Sequence, residues 1–511
     1  MKIFYNGNIL TDEKVESVVC TDKIIDMGPF SKMKEKYSSA TMIDLKGKTL
    51  MPSFIDSHSH ITMAANVISM TDLSEATSFL DIITLLKNDL KDKKILLGFG
   101  YDHNVLKENA HPTKKELDEV SKNIPIFIMN TSGHMGVVNS KMLDLLGINK
   151  DTKIPGGKIG VIDGEASGYL EEGALMLISK KLSSNIATNI EENIIKALNM
   201  YASYGITTVQ DGASDIKSIN LLEKMNRENK LFLDVVAYPL MNEENIEFTK
   251  NFKESSKFFK IGGYKMILDG SPQGKSAWMS EPYVGTDYIG YPWMKDIDVT
   301  NNIKEAIKEK RQILAHCNGD NASEQFINCY KEALKDDFDL TLRPVMIHCQ
   351  TVREDQIKEM AKLRMMASIF IGHTYYWGDV HLRNFGEKRG NFISPANTAL
   401  KNNLVVTFHQ DTPVTKPNMF HSIWCAVNRI TKSGKKIGES ECISVMDAIK
   451  AVTINAAFQY NEENEKGSIS IGKRADLIIV SDNPLTIDKM KIKDIIVLNT
   501  YKDGKLIYKR G

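Results

Sequence analysis

The sequence lacks any surplus of charge of one sign. Lysine plus arginine and aspartate plus glutamate each number 65 among 511 residues, so the formal net charge is zero. Without excess positive charge to displace counterions from a phosphate backbone or to hold an anionic bilayer, nucleic acid and membrane are poor partners, and a small-molecule substrate is expected. Cysteine is also scarce. Cys20, Cys317, Cys329, Cys349, Cys425 and Cys442 are scattered without a C-x-x-C pair, which argues against a disulfide framework and for reduced thiols. No apolar run approaches the roughly 18 residues of a membrane span, and the opening MKIFYNGNILTDEK has no apolar core behind Lys2. The expected location is cytoplasmic. There is no internal repeat and no low-complexity segment. The 42% hydrophobic and 25% charged residues are those of a chain that folds around a core, and the length exceeds one small domain.

The two ends of the chain share one rhythm. KIFYNGNIL, VESVVCTDKIIDMG and TMIDLKGKTLM are short β-like runs broken by Asn6-Gly7 and Gly47, and after Gly467 the runs ADLIIVSDNP and KDIIVLNTYKDGKLIYKRG repeat the pattern. Neither end is long enough alone, so residues 1–52 and 466–511 are expected to build one small β-sandwich domain together. Between them, apolar runs recur at 50–60, 207–211, 231–239, 259–271, 312–319, 342–350, 365–372 and 404–411. Most are separated by amphipathic stretches such as EENIIKALNMYASYG, where Ile194, Leu198, Tyr201 and Ala202 share a helix face and Gly205 can end the helix. Alternating strands and helices imply an α/β fold, and eight units imply a (β/α)8 TIM barrel over 53–71 and 191–465. The gap between the first two runs is far longer than a crossover. Residues 72–190 carry their own helix and strand signals and are expected to form an inserted α/β domain.

The stretch PSFIDSHSHIT, residues 52–62, places Asp56, His58 and His60 on alternating positions. On a strand they share one face, with the histidines about 6.6 Å apart along it. Leaning together, their imidazoles can share one ion at the roughly 2.0–2.1 Å that zinc prefers. Alone the motif is weak, because hydrogen-bonded barrel histidines read the same way. Its weight comes from company: Lys265 and Asp269, His316, His348 and Asp411 fall at the carboxyl ends of other expected strands, where barrel enzymes place their sites.

These residues resemble the metal-dependent amidohydrolase superfamily, in its branch of N-substituted formamide deformylase-like (YtcJ-like) amidohydrolases. PSFIDSHSH is similar to the superfamily's opening P-G-F-I-D-x-H-x-H. GGKIGVIDGEASGYLEEGA, YKMILDGS, RPVMIHCQ, FHQDTPV and GSISIGKRADLIIV resemble further segments, so the likeness runs nearly end to end. It implies that His58 and His60 bind one metal, that His316 and His348 bind a second or complete the first site, and that Lys265, as a carbon dioxide adduct, bridges two ions. Zinc is the implied metal, as one or two divalent ions. It further implies Asp411 as remaining ligand and general base, taking the proton of the metal-activated water and returning it to the leaving nitrogen. The chain departs from the pattern at HCNGDNA, where H-A-x-G-D-x-A is usual, and at HQDTP, where a small residue and Ser usually precede the aspartate. His409 and Gln410 therefore alter the surroundings of the base.

Further residues in loop-like segments are candidates for substrate contact: Tyr101, Asp102, His103, His134, Trp278 and Trp377, with His373 a candidate stabiliser of the carbonyl oxygen. Each can instead be a packing or surface residue. GSPQGKS at 270–276 has the wrong glycine spacing for a phosphate loop, and nucleotide binding is rejected. Ser444 and Asp447 are expected to cap one helix spanning VMDAIKAVTINAAFQY. The expected function is hydrolysis of a non-peptide C–N bond in an amide, formamide or cyclic amide. The rivals are a mononuclear deaminase of an aminated ring and a catalytically silent binding barrel; a homodimer is compatible with all three readings.

Overall fold

The computed structural model of this chain describes residues 1–511 apart from 12, 155–156, 176–188, 254–257 and 336–340. It divides into two compact units, one of Met1–Thr62, Ile195–Thr412 and Lys416–Gly511, the other of Met63–Ile194 with Pro413–Thr415. In the first unit the expected strand positions appear in parallel ladders. β1 (Phe54–Ile55), β2 (Ile206–Ser214), β3 (Asp234–Pro239) and β4 (Phe259–Ile261) run in the order β4-β3-β2-β1, and β5 (Gly263–Ile267), β6 (Gln312–Cys317), β7 (Val345–His348), β8 (Met366–Ile369) and β9 (Val406–Phe408) pair consecutively. Every neighbouring pair is parallel, the arrangement of a TIM-barrel-type fold. β4 and β5 are one strand position interrupted at Gly262, where a Cβ would meet the Tyr238 ring at 2.5 Å. β6, β7 and β8 are buried on both faces, which is why they read as continuous apolar runs rather than alternating ones.

The helix α1 (Ile190–Ser203) follows the expected face, with Ile194, Leu198, Tyr201 and Ala202 all buried, and Gly205 ends it at φ +81°. Two expectations need correction. The run 50–60 is not one strand: Thr49–Pro52 pairs in a different sheet, only Phe54–Ile55 joins the parallel ladder, and His58 and His60 lie beyond its end. The helix opened by Ser444 is two helices, Val445–Ala451 and Ile454–Gln459. Between them Thr453 returns its hydroxyl to the Ile449 carbonyl at 2.7 Å, the bond by which threonine bends a helix. The cap itself is present, with Ser444 accepting from the Asp447 amide.

Both chain ends contribute to the first unit's antiparallel-rich sheets. Asn8–Ile9 and Thr49–Pro52 pair into a five-stranded sheet with Leu477–Val480, Val497–Lys502 and Lys505–Lys509, and a four-stranded sheet is wholly N-terminal. One apolar cluster joins them, including Phe4, Val18, Leu50, Leu477 and Tyr501. The second unit holds a six-stranded sheet and two apolar clusters of its own. All six cysteines are unpaired, five of them buried. Among the described residues no helix is long and apolar enough to cross a membrane.

A buried ionic network ties the C-terminal strands to the start of β3. The Asp234 carboxylate contacts Lys466 Nζ at 2.6 Å, Lys502 Nζ at 2.9 Å and an Arg474 guanidinium nitrogen at 3.1 Å. Lys502 also reaches Asp476 at 2.8 Å, and Lys466 reaches Glu462 at 2.7 Å. Burial alone would raise the Asp234 carboxyl; the three cations outweigh it and hold it well below the usual carboxylate range. Asp234→Asn leaves buried cations uncompensated and is expected to lower stability by about 3–5 kcal/mol, read from the denaturant midpoint. Because the folded value lies below the unfolded one, the contribution is complete above roughly pH 4 and is lost as pH falls further. The variant should therefore also show a shallower acid limb.

Candidate metal centre

His58 and His60 sit where the chain leaves β1, and backbone bonds rather than a strand hold them. The His60 amide donates to the Thr412 carbonyl at 2.9 Å, and the Gly212 amide donates to Ser59 at 2.8 Å. The orientation of each ring follows from its outer nitrogen. Gln210 donates from Nε2 to the Ser57 carbonyl (2.9 Å) and the Tyr460 hydroxyl (3.0 Å), so its Oε1 faces His58 Nδ1 at 2.5 Å as an acceptor. His58 Nδ1 therefore carries the hydrogen. The Gly212 carbonyl does the same for His60 Nδ1 at 2.6 Å. Both histidines thus turn Nε2 inward.

Asp411, just beyond β9, meets those nitrogens. Its Oδ1 lies 3.5 Å from His58 Nε2 and 3.2 Å from His60 Nε2, and the three ligand atoms fall within 4.8 Å of one another. Oδ1 makes no well-aligned hydrogen bond although buried. Acceptors this close repel unless a positive charge lies between them: burial works downward on His60, but the Asp411 carboxylate outweighs it and raises the imidazole above its ordinary value, and the same nitrogen and oxygen donors fit a divalent cation. Burial pushes His58 well below the usual imidazole range, with Lys265 adding to the effect. For Asp411, burial works upward, but His60, His348 and His58 hold the carboxyl well below its ordinary value. Asp411 (φ +53°) and His348 (φ +73°) both adopt the left-handed backbone region, a strain of order 1–3 kcal/mol each that tends to persist at functional sites.

Lys265, on β5, is fully buried with Nζ 3.3 Å from His58 Nε2. Burial lowers its amine to about 7, against a smaller upward pull from Asp411. His316 and His348, at the ends of β6 and β7, face each other, Nδ1 to Nε2, at 3.0 Å. The His348 ring lies 5.7 Å from that of His58. Asp269 is occupied otherwise: its carboxylate accepts the backbone amides of Trp278 (2.9 Å), Asn318 (3.0 Å) and Gly319 (2.7 Å), which fixes the loops after β5 and β6. Asp56 is buried and raised to about 7 by burial.

Of the substrate candidates in this unit, His373 is buried, bonded through Nδ1 to His381 Nε2 at 3.0 Å and packed on Phe370 and Trp377. Trp377 is almost wholly buried in that aromatic group, while the Trp278 side chain is partly exposed. The other four candidates belong to the second unit. Tyr101 is part of its apolar core and bonds His111 Nδ1 at 2.9 Å. His103 stacks on His111 at 4.0 Å, Asp102 accepts from the Asn104 amide, and the His134 amide donates to Ser132 Oγ. Sequence reasoning did not assign Gln210 or His409 a place in the site. Gln210 carried the same signal as the others, a polar residue at a strand's carboxyl end; His409 was visible as a departure from the family pattern.

With this geometry in view, comparison with known proteins places the chain. A model described as the Amidohydrolase family matches residues 41–508, and the chain belongs to that family. It is a hydrolase of carbon–nitrogen bonds. Over 496 residues it is 26% identical to the N-substituted formamide deformylase of Arthrobacter pascens, covering 92% of this chain and 90% of that protein. The putative amidohydrolase YtcJ of Bacillus subtilis (strain 168) is 24% identical over 537 residues, covering 100% and 99%. The crystal structure of an uncharacterized metal-dependent hydrolase from Pyrococcus furiosus aligns with a TM-score of 0.77 at 26% identity, covering 95% of this chain and 100% of that one.

The role of Gln210 can be checked without substrate. Gln210→Leu removes the acceptor of a buried His58 N–H, and stability is expected to fall by about 1–3 kcal/mol in chemical denaturation. An unchanged midpoint would mean the His58 ring is held by something else.

Proposed function

We propose that this chain hydrolyses a non-peptide C–N bond, of an amide, formamide or cyclic amide, at a divalent metal centre held by His58, His60 and Asp411 together with Lys265, His316 and His348. The observation carrying this reading is the convergence of two inward Nε2 atoms on the Asp411 carboxylate. Zinc suits the donor set. When bound, a divalent ion there polarises the scissile carbonyl and acidifies water. Asp411 is the carboxylate in position to take that water's proton and return it to the leaving nitrogen, and it is kept ionised for the task. Gln210 and the Gly212 carbonyl hold the two imidazoles in one tautomer. The lowered amine of Lys265 favours the neutral form, which is the form that reacts with carbon dioxide to give an anionic oxygen ligand. His373, with Nδ1 engaged by His381, has Nε2 left for the substrate's carbonyl oxygen, and the name of the Arthrobacter relative makes N-substituted formamides the first substrates to try.

The same proposal includes the architecture: a closed barrel over 53–71 and 191–465, a composite β-sandwich from 1–52 and 466–511, and an inserted domain at 72–190. Support for closure comes from the Leu240–Lys265 bridge between the ladders and from Ser57 Oγ donating to the Phe408 carbonyl across β1 and β9 at 3.0 Å. Six reduced thiols suit a cytoplasmic setting.

Chelation should abolish hydrolysis in a panel of formamides, N-acyl amines, hydantoins and carbamates, and a divalent ion should restore it. Asp411→Asn should lower kcat by about 10²–10⁴ with the fold intact, and Lys265→Ala should lose both activity and bound metal. One tightly held ion with an indifferent Lys265→Ala variant points instead to a deaminase. Metal-loaded protein that hydrolyses nothing in the panel points to a binding barrel.

A further inference from the structure

His409 lies outside the ligand set proposed above, yet it is wholly buried and both of its ring nitrogens are engaged. Nε2 lies 3.2 Å from His348 Nδ1, and Nδ1 lies 3.0 Å from Ser368 Oγ. Ser368 Oγ is 3.2 Å from Ser57 Oγ, which donates its only hydrogen to the Phe408 carbonyl at 3.0 Å. That carbonyl is acceptor-only, so, with each contact along the path made as a hydrogen bond, it fixes the direction of the whole chain. Since the Ser57 hydrogen is committed, Ser368 must donate to Ser57. The Ser368 hydrogen is then also committed, so His409 must donate from Nδ1. A neutral ring carries one such hydrogen, which leaves His409 Nε2 as an acceptor, and His348 must donate to it from Nδ1. His348 Nε2 is thereby left as the bare nitrogen, on the side facing His316.

The other end of the path agrees. His316 Nδ1 lies 3.0 Å from His348 Nε2; with its hydrogen on Nδ1 it meets the bare His348 nitrogen, and its Nε2 then accepts from Asn318 Nδ2 at 3.0 Å. Asn318 gives its second hydrogen to the Gly270 carbonyl at 2.8 Å. His316 Nε2 is also 3.3 Å from that carbonyl, so this ring has an acceptor available for the opposite tautomer. His348 has no such second acceptor among the described residues: its Nδ1 faces the His409 nitrogen.

We propose that His409, backed by Ser368 and Ser57, is a positioning residue that locks His348 in the Nδ1–H tautomer and so presents the His348 Nε2 lone pair to the metal centre. The proposal rests on reading His348 as a ligand. It gives His409 a task that a small residue at this position could not perform, since only a side chain that reaches His348 and accepts a hydrogen bond sets its tautomer. A ligating histidine whose other nitrogen is held by an acceptor is more basic and better aimed, and losing such an acceptor typically weakens metal binding about 10–100-fold.

The test uses the full chain labelled with ¹⁵N-histidine, the His348 signals being those lost in His348→Gln. In the metal-free wild type, long-range ¹H–¹⁵N correlations should show His348 as Nδ1–H. His409→Leu should shift His348 toward the Nε2–H form, whereas His409→Gln, whose Oε1 can accept near the former Nε2 position, should keep it. Metal affinity measured by chelator competition should follow the same order, falling about 10–100-fold in His409→Leu and staying close to wild type in His409→Gln. An unchanged His348 tautomer in a folded His409→Leu protein overturns the proposal, as does failure of Gln to rescue. If the wild type binds no divalent ion, the reading of the centre fails, and the tautomer measurement still decides the role of His409.

Discussion

A buried, neutral imidazole has one hydrogen and two nitrogens, and the acceptor that takes the hydrogen decides where the lone pair points. The site depends on this constraint. Gln210 settles His58, the Gly212 carbonyl settles His60, and His409 stands in the corresponding relation to His348. None of these acceptors is an accidental neighbour. Gln210 is itself held by Ser57 and Tyr460, and the Tyr460 hydroxyl in turn donates to the Asp56 carbonyl at 2.7 Å. A buried ring left without its acceptor pays the desolvation of its N–H, so a lost acceptor costs both stability and aim.

The fold serves that layer by bringing strand ends together. Parallel strands place their carboxyl termini on one side, and the loops that follow are free to carry chemistry while the strands carry packing. Asp269 shows how the loops are fixed, with one buried carboxylate collecting three backbone amides from two of them. At the start of β3, Asp234 performs the complementary task, binding lysines and an arginine supplied by the C-terminal segment. One aspartate steadies the chemistry, and the other steadies the frame.

Much of this was legible beforehand. The eight apolar runs mark the strand positions because parallel strands buried on both faces cannot alternate, and His58, His60, Lys265, His316, His348 and Asp411 stood out as polar residues at the ends of such runs. What misled was the length of the first run. LMPSFIDSHSH reads as one strand, but Thr49–Pro52 is shared with the C-terminal Leu477–Val480, a pairing across the whole chain that no local pattern reveals. Likewise Val452 and Thr453 gave a helix break that an uninterrupted apolar periodicity conceals. Tyr101, chosen for its place after an apolar run, is core, since its hydroxyl finds a partner in His111.

The sequence by itself determined the family, the parallel β/α order and the residue types able to hold a cation, because these follow from periodicity, composition and motif, all local properties. Tertiary structure alone decided which nitrogen each histidine turns inward and which residues enforce it. Gln210, Gly212 and His409 act on His58, His60 and His348 from distant parts of the chain, and a tautomer is set by an acceptor a few ångströms away in space, which primary order does not encode.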